Sequence, residues 1–165
     1  MTAEIRTLGP KDVTAWREIR LEGLRTMPEA FLTTYEEERA RSDAEVAERL
    51  SQGAIRGAYV DGTLAAVLAY VPMTAAAAIH RGEIGAFYAR AGFRGTGVAS
   101  ALLRATVAEA VTGGVKQLEL FVAEDNFRAI TFYERHGFRW QGRLPRAVRL
   151  GDRWQDDHFY VLRLD

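Results

Sequence analysis

The run Arg94-Gly95-Thr96-Gly97-Val98-Ala99-Ser100 constrains this chain more than any other segment. Residues 81–89 before it read as a strand. After it, Leu103, Val107, Ala110 and Val111 recur at the i, i+4, i+7, i+8 spacing of a buried stripe, so a helix is expected over 98–112. Glycines in a strand-to-helix turn let backbone N–H groups come close to a ligand. The helix start adds unpaired donors and a partial positive charge of about half a unit. Together they suit a phosphate or pyrophosphate. The chain has no Gly-Lys-Ser/Thr, which excludes a P-loop, and a dinucleotide-binding turn counted from Gly95 would have Ser100 in place of its third glycine.

The surrounding pattern is that of a small mixed domain. A strand over 5–8 stops at Gly9-Pro10, and Asp12 caps a helix to 25 with Val13, Trp16, Ile19 and Leu24 on its apolar face. Residues 29–41 read as a loop or short helix carrying the acids Glu36, Glu37 and Glu38. Ser42 and Glu45 form a capping box for the next helix. Two strands, 54–60 and 63–71, flank Asp61-Gly62, a strong hairpin signal. Residues 116–122 alternate, a helix opened by Asp125 or Asn126 runs to His136 with Gly137 as its left-handed cap, and strands over 138–144 and 158–164 follow. The order β-α-α-β-β-β-α-β-α-β-β implies an α/β (α+β) sandwich around a mixed sheet, in a single domain over 1–165.

Composition removes several classes of chemistry. The 165 residues include 22 basic and 22 acidic side chains, so a chain-wide attraction to nucleic acid or an anionic membrane has no support. No basic stripe interleaved with aromatics argues for nucleic acid either. The chain has no cysteine, which rules out disulfides and thiolate chemistry, and its three histidines have no metal-ligand spacing. The N-terminus lacks an apolar signal core, and the longest apolar stretch, 63–79, is interrupted and shorter than the roughly 20 residues of a membrane helix. A cytoplasmic location, no membrane partner and no metal are therefore expected.

Two motifs carry a family resemblance. Arg94-x-x-Gly97-x-Ala99 between strand and helix resembles the Arg/Gln-x-x-Gly-x-Gly/Ala signature of the GNAT N-acetyltransferase superfamily. Asn126-Phe127-Arg128-Ala129-Ile130-Thr131-Phe132-Tyr133-Glu134-Arg135-His136-Gly137-Phe138 is similar to its N-x-x-A-x-x-x-Y-x-x-x-G-F run. The opening, Arg20-Leu21-Glu22-Gly23-Leu24 followed by Pro28-Glu29-Ala30-Phe31, also looks like a branch of that family.

The resemblance implies a mostly antiparallel sheet of about six to seven strands with about four helices. Two parallel strands at its centre, 83–89 and 116–122, would splay around acetyl-CoA as cosubstrate. The pantetheine arm would pair with the backbone of Phe87, Tyr88 and Ala89 like an added strand. The pyrophosphate would rest on the amides of Gly95, Thr96, Gly97, Val98, Ala99 and Ser100, with Arg94 at the rim. Asn126 would hydrogen-bond the arm, and Tyr133 would protonate the departing thiolate. The acetyl group would pass directly to a primary amine of a small molecule or peptide. A lysine-like amine, with a reference pKa near 10.4, is almost wholly protonated at neutral pH, so deprotonation accounts for roughly 4.6 kcal/mol. Glu83 is the candidate base, by likeness to the histone-acetylating branch. In the ribosomal-protein-acetylating branch the base lies five residues before the motif asparagine, where this chain has Phe121, which accepts no proton; Glu119, Glu124 or water are the alternatives.

Phe31, Tyr35, Trp154 and His158 are candidate acceptor-pocket residues, and Glu36, Glu37, Glu38, Asp156 and Asp157 are acids that could attract a cationic amine. The resemblance also implies a homodimer. A catalytically silent acyl-CoA-binding sensor or assembly module of the same fold is the alternative function.

Overall fold

The computed structural model of the chain describes residues 2–165. Strands β1 (Glu4–Thr7), β2 (Ile55–Val60), β3 (Thr63–Pro72), β4 (Arg81–Ala89), β5 (Gln117–Ala123), β6 (Arg139–Leu150) and β7 (Arg153–Arg163) form one sheet in the order β1-β2-β3-β4-β5-β7-β6. The sheet is mixed and mostly antiparallel, as expected, with β4 and β5 parallel. The helices are α1 (Val13–Thr26), α2 (Tyr35–Ala40), α3 (Asp43–Ser51), α4 (Val98–Thr112) and α5 (Phe127–Arg135). The helix beyond the expected four is α2, in the stretch that reads as loop or short helix. It forms because Thr34 and Glu37 make a second capping box, with the Thr34 amide donating to Glu37 Oε2 at 2.8 Å and the Glu37 amide donating to Thr34 Oγ1 at 3.2 Å.

The chain packs as two compact units. The first comprises the chain up to Tyr70 together with Ala86–Glu109. Its core joins Leu8, Trp16, Ile19, Leu24, Val46, Leu50, Leu64, Val67, Phe31 and Tyr88. The apolar stripe of α1 is buried as its spacing dictates, at Trp16, Ile19 and Leu24. Asp61 and Gly62 both take positive φ, +48° and +80°, which fits the strand twist of a two-residue hairpin between β2 and β3. Asp12 sits at the N-cap of α1, but its carboxylate makes no cap hydrogen bond. It accepts instead from Arg6 at 2.7 and 2.9 Å, from Tyr59 Oη at 2.9 Å and from the Gly9 amide at 2.9 Å. The Arg6 hydrogen bonds hold this buried carboxyl well below the ordinary carboxylate range. On β2, Arg56 forms a bidentate pair with Glu109 of α4 at 2.7 and 2.8 Å, fixing the helix that follows the glycine turn.

The second unit comprises Val71–Gly85 and Ala110–Asp165. Its parallel ladder between β4 and β5 covers only three pairs, Arg81↔Gln117 to Glu83↔Glu119. β5 then pairs with β7 over its whole length. The last two strands are longer than their sequence pattern suggests and form a hairpin about Gly151-Asp152. Apolar alternation hides this extension because β6 is exposed along most of its length. Its register also shifts between Leu144 and Val148, where Arg146 has φ +51° and its amide donates to Asp156 Oδ1 at 2.7 Å.

Candidate functional site

In the first unit, the glycine turn has the geometry its sequence implies. Gly95 and Gly97 take φ +75° and +90°, conformations that disfavour any side chain. A Cβ added to either would meet no atom within 4 Å, so the space outside the turn is open. The Thr96 amide bonds Phe93 O at 3.3 Å, and the first amide bonded within α4 is that of Ala101, to Gly97 O at 2.9 Å. Among the described residues, the amides of Gly95, Gly97, Val98, Ala99 and Ser100 have no backbone acceptor. Arg94 does not extend outward: its Nε donates to Ala89 O at 3.3 Å, and its guanidinium lies 5.8 Å from the Tyr88 ring centroid.

The end of β4 leads into this turn, and two of its features escape sequence analysis. Ala86 has φ +48°, a left-handed residue inside a strand and just ahead of Phe87, Tyr88 and Ala89. Alanine pays about 1–2 kcal/mol for that conformation, and nothing in the residue type announces it. The second feature is a polar network. Tyr88 Oη donates to Glu22 at 2.8 Å, Arg90 donates to the same carboxylate at 3.1 Å, and Thr26 Oγ1 lies 3.3 Å from Tyr88 Oη. Gly23 has no room for a side chain, since a Cβ there would lie 3.1 Å from Phe31 and 3.2 Å from Tyr88. The opening run Arg20-Leu21-Glu22-Gly23-Leu24 thus has a physical purpose, seating α1 against β4. Phe31 is buried beneath the Arg20 guanidinium, 4.8 Å from its ring centroid, with the Tyr88 ring at 6.5 Å. Tyr35 opens α2 and packs against the same core. Of the neighbouring acids, Glu38 is buried between Arg20, Arg41 and Arg49 at 3.6–3.8 Å and so is unavailable to a cation.

In the second unit, Asn126 caps α5: its Oδ1 accepts from the Ala129 amide at 3.2 Å. Its Nδ2 has no acceptor among the described residues. Tyr133 is buried against Phe132 and Phe138, with ring centroids at 5.5 and 5.6 Å. Burial pushes its phenol well above the ordinary tyrosine range, so the group stays protonated.

The candidate carboxylates differ sharply in their surroundings. Glu83 is exposed. Its register partner Glu119 is buried, and Arg81 donates to it at 2.6 Å from Nη2. That hydrogen bond lowers the Glu119 pKa and makes it a weak proton acceptor. Glu124 and Asp156 both pair with Arg143. Trp154 lies half-exposed near the hairpin turn between the Arg146 and Arg149 guanidiniums, 5.3 and 5.8 Å from its centroid. That end of the hairpin is basic, despite the acids written beside it in sequence. His158 sits apart, edge-on to Trp140 at 6.1 Å, with Nε2 at 3.9 Å from Glu124. Asp157 is the buried acid that single-residue reasoning could not rank, and desolvation raises its pKa. Among the described residues, no group of histidines and acids could hold a metal ion, and no helix is long and apolar enough to cross a membrane.

The model of the acetyltransferase (GNAT) family matches residues 16–138. An uncharacterised N-acetyltransferase of Mycobacterium bovis is 35% identical over 82 residues, 50% of this chain and 51% of that protein, so the chain spans about half the length of this relative. Among solved structures, an N-acetyltransferase from Staphylococcus aureus Mu50 superposes with a TM-score of 0.79 at 25% identity, covering 100% of both chains. A phosphinothricin acetyltransferase from Sinorhizobium meliloti, crystallised with acetyl-CoA, superposes with a TM-score of 0.82 at 24% identity, covering 99% of this chain and 89% of that one.

Proposed function

The chain belongs to the GNAT acetyltransferase family, and from that premise we propose that it moves an acetyl group from acetyl-CoA directly to a primary amine. The observation that carries this reading is the set of backbone amides without acceptors at Gly95, Gly97, Val98, Ala99 and Ser100, opening onto unfilled space at the start of α4. Such an arrangement suits a pyrophosphate, as main-chain donors and the helix dipole both favour an anion. The backbone of Phe87, Tyr88 and Ala89 would hold the pantetheine arm, and the free Nδ2 of Asn126 would donate to it. Arg94 would support the Tyr88 ring rather than grip a phosphate, given its contacts.

Acetyl-CoA, when bound, supplies an activated acetyl thioester. The residues of the chain then handle protons. The Tyr133 hydroxyl, kept protonated by burial, is the proton donor for the leaving sulfur. The acceptor amine must lose a proton as its nitrogen bonds to the acetyl carbon; Glu83, exposed to solvent, would pass it to water. Transfer would be direct, with the amine attacking the thioester carbonyl, and the absence of cysteine excludes a cysteinyl-enzyme intermediate.

Titration calorimetry with acetyl-CoA and a thiol-release assay over a panel of small amines and peptides test the proposal. Saturable heat and amine-dependent thiol release are expected. Absence of both would overturn it.

A further inference from the structure

We propose that Asp157, with Phe121 and Phe159, forms the acceptor subsite and selects a primary amine borne on an apolar body. The inference rests on the acetyltransferase function proposed above. Three observations within the second unit carry it.

Phe121 is the exposed member of an otherwise buried strand: it is 48% exposed, whereas Leu118, Leu120, Val122 and Ala123 of β5 are all buried. Its ring lies 5.0 Å from that of its register partner Phe159, tilted by 32° to it, giving an aromatic surface on one side of β5 and β7. A half-exposed Phe121 beside the partly buried Phe159, in the middle of paired strands, is the kind of apolar surface that ligands cover.

Asp157 lies on the same side, two residues before Phe159 and in register with Ala123. It is only 8% exposed, and its one hydrogen bond is from the neutral amide of Gln155, at 2.9 Å to Oδ1. Among the described residues, no lysine or arginine nitrogen comes within 4 Å of it. A buried carboxylate without a cation is unfavourable unless something else supplies the charge.

The neighbouring charges leave that role open. Glu119, further along the same side of β5, is neutralised by Arg81, and Arg143 is shared by Glu124 and Asp156. His158 faces the other side, toward Trp140 and Tyr160. An ammonium on Asp157 would supply the positive charge that this buried carboxylate lacks, and the rest of the acceptor would lie on Phe121 and Phe159. An aromatic face next to a carboxylate also favours a cation directly.

The test uses 2-phenylethylamine as acceptor, spermidine as a polycation without an apolar body, and 2-phenylethanol as a neutral competitor. The wild-type protein should acetylate 2-phenylethylamine with higher kcat/KM than spermidine, and 2-phenylethanol should compete poorly. Asp157→Asn keeps the size of the side chain and a partner for Gln155. It should raise KM for 2-phenylethylamine by about 30-fold, as expected for loss of a charged hydrogen bond, with acetyl-CoA affinity within about twofold of wild type. Asp157→Glu should recover part of the loss. Phe121→Ala, at an exposed position, should raise KM for 2-phenylethylamine more than for spermidine. Unchanged KM in Asp157→Asn, equal competition by the alcohol, preference for spermidine, or no acetylation of 2-phenylethylamine by protein that binds acetyl-CoA would each overturn the subsite while leaving the acetyltransferase function standing. Failure of wild-type protein to bind acetyl-CoA would remove both.

Discussion

Replacing Gly97 with glutamate should weaken acetyl-CoA binding by about two orders of magnitude or more and leave the fold in place. Gly97 has φ +90°, and a Cβ there meets nothing within 4 Å, so the penalty to the free protein is conformational rather than steric. A left-handed L-residue costs about 1–2 kcal/mol. With an unfolding entropy of about 2.1 cal/mol/K per residue, this chain loses roughly 3–6 °C in Tm. A carboxylate at the start of α4 is itself favoured by the helix dipole, so the glutamate adds no further instability. Its effect on the ligand is larger. At about 5 Å from a phosphate charge and an effective dielectric near 20, repulsion is about 3 kcal/mol for each charge. That is a loss of affinity of about 150-fold or more. Gly97→Ala separates the two effects: it should show the same fall in Tm, with an affinity loss under about tenfold. Scanning calorimetry and titration calorimetry with acetyl-CoA read both quantities. A glutamate variant that binds within about twofold of wild type would refute the assignment of this turn to the pyrophosphate.

Tyr133→Phe should lower kcat by about 100-fold, the usual scale of a lost general acid, without altering acetyl-CoA affinity; the difference between the spectrophotometric titrations of wild type and variant should show one phenol ionising above the ordinary tyrosine range, because burial raises the Tyr133 pKa. Ala86→Gly should relieve part of the left-handed penalty, and after the added entropy of the unfolded glycine the net gain is about 0.5–1 kcal/mol, read as a Tm rise of about 2 °C. Asp12→Asn should cost about 3 kcal/mol in urea unfolding at neutral pH by breaking a buried pair. The Asp12 pKa is depressed in the fold, so its stabilisation is complete above the unfolded value near 3.9 and fades as pH falls through the folded one; the gap between wild type and variant should therefore narrow below about pH 4.

The elements that sequence resolves well are those set by neighbours along the chain. The Ser42–Glu45 capping box forms, with bonds of 2.6 and 3.1 Å, because both partners lie within one turn. Asp61-Gly62 makes its hairpin because the turn geometry belongs to those two residues alone. The stripe of α1 is buried because periodicity places it on one face. Where the outcome depends on distant chain, the local signal fails. Asp12 looks like a cap, yet Arg6 and Tyr59 claim its oxygens. The far half of the β6–β7 hairpin has few apolar residues facing a core, so its pairing leaves no alternation to read.

The same distinction separates the two halves of the site. The proposed phosphate cradle of main-chain amides is legible because glycine at the right place is almost the whole requirement, and the local φ values follow from it. The role of an acid is set by what lies beside it, and here those partners are far away in sequence. Glu119 is tied to Arg81, 38 residues before it; Glu109 to Arg56, across 53; Glu22 to Tyr88, across 66. Each of these side chains ends in a carboxylate, as Asp157 does. Burial beside a guanidinium makes a carboxylate a structural anion, whereas burial beside only an amide leaves it in need of a cation. The feature that distinguishes Asp157 is therefore the missing arginine, a property of the folded neighbourhood that no spacing of residues along the chain encodes.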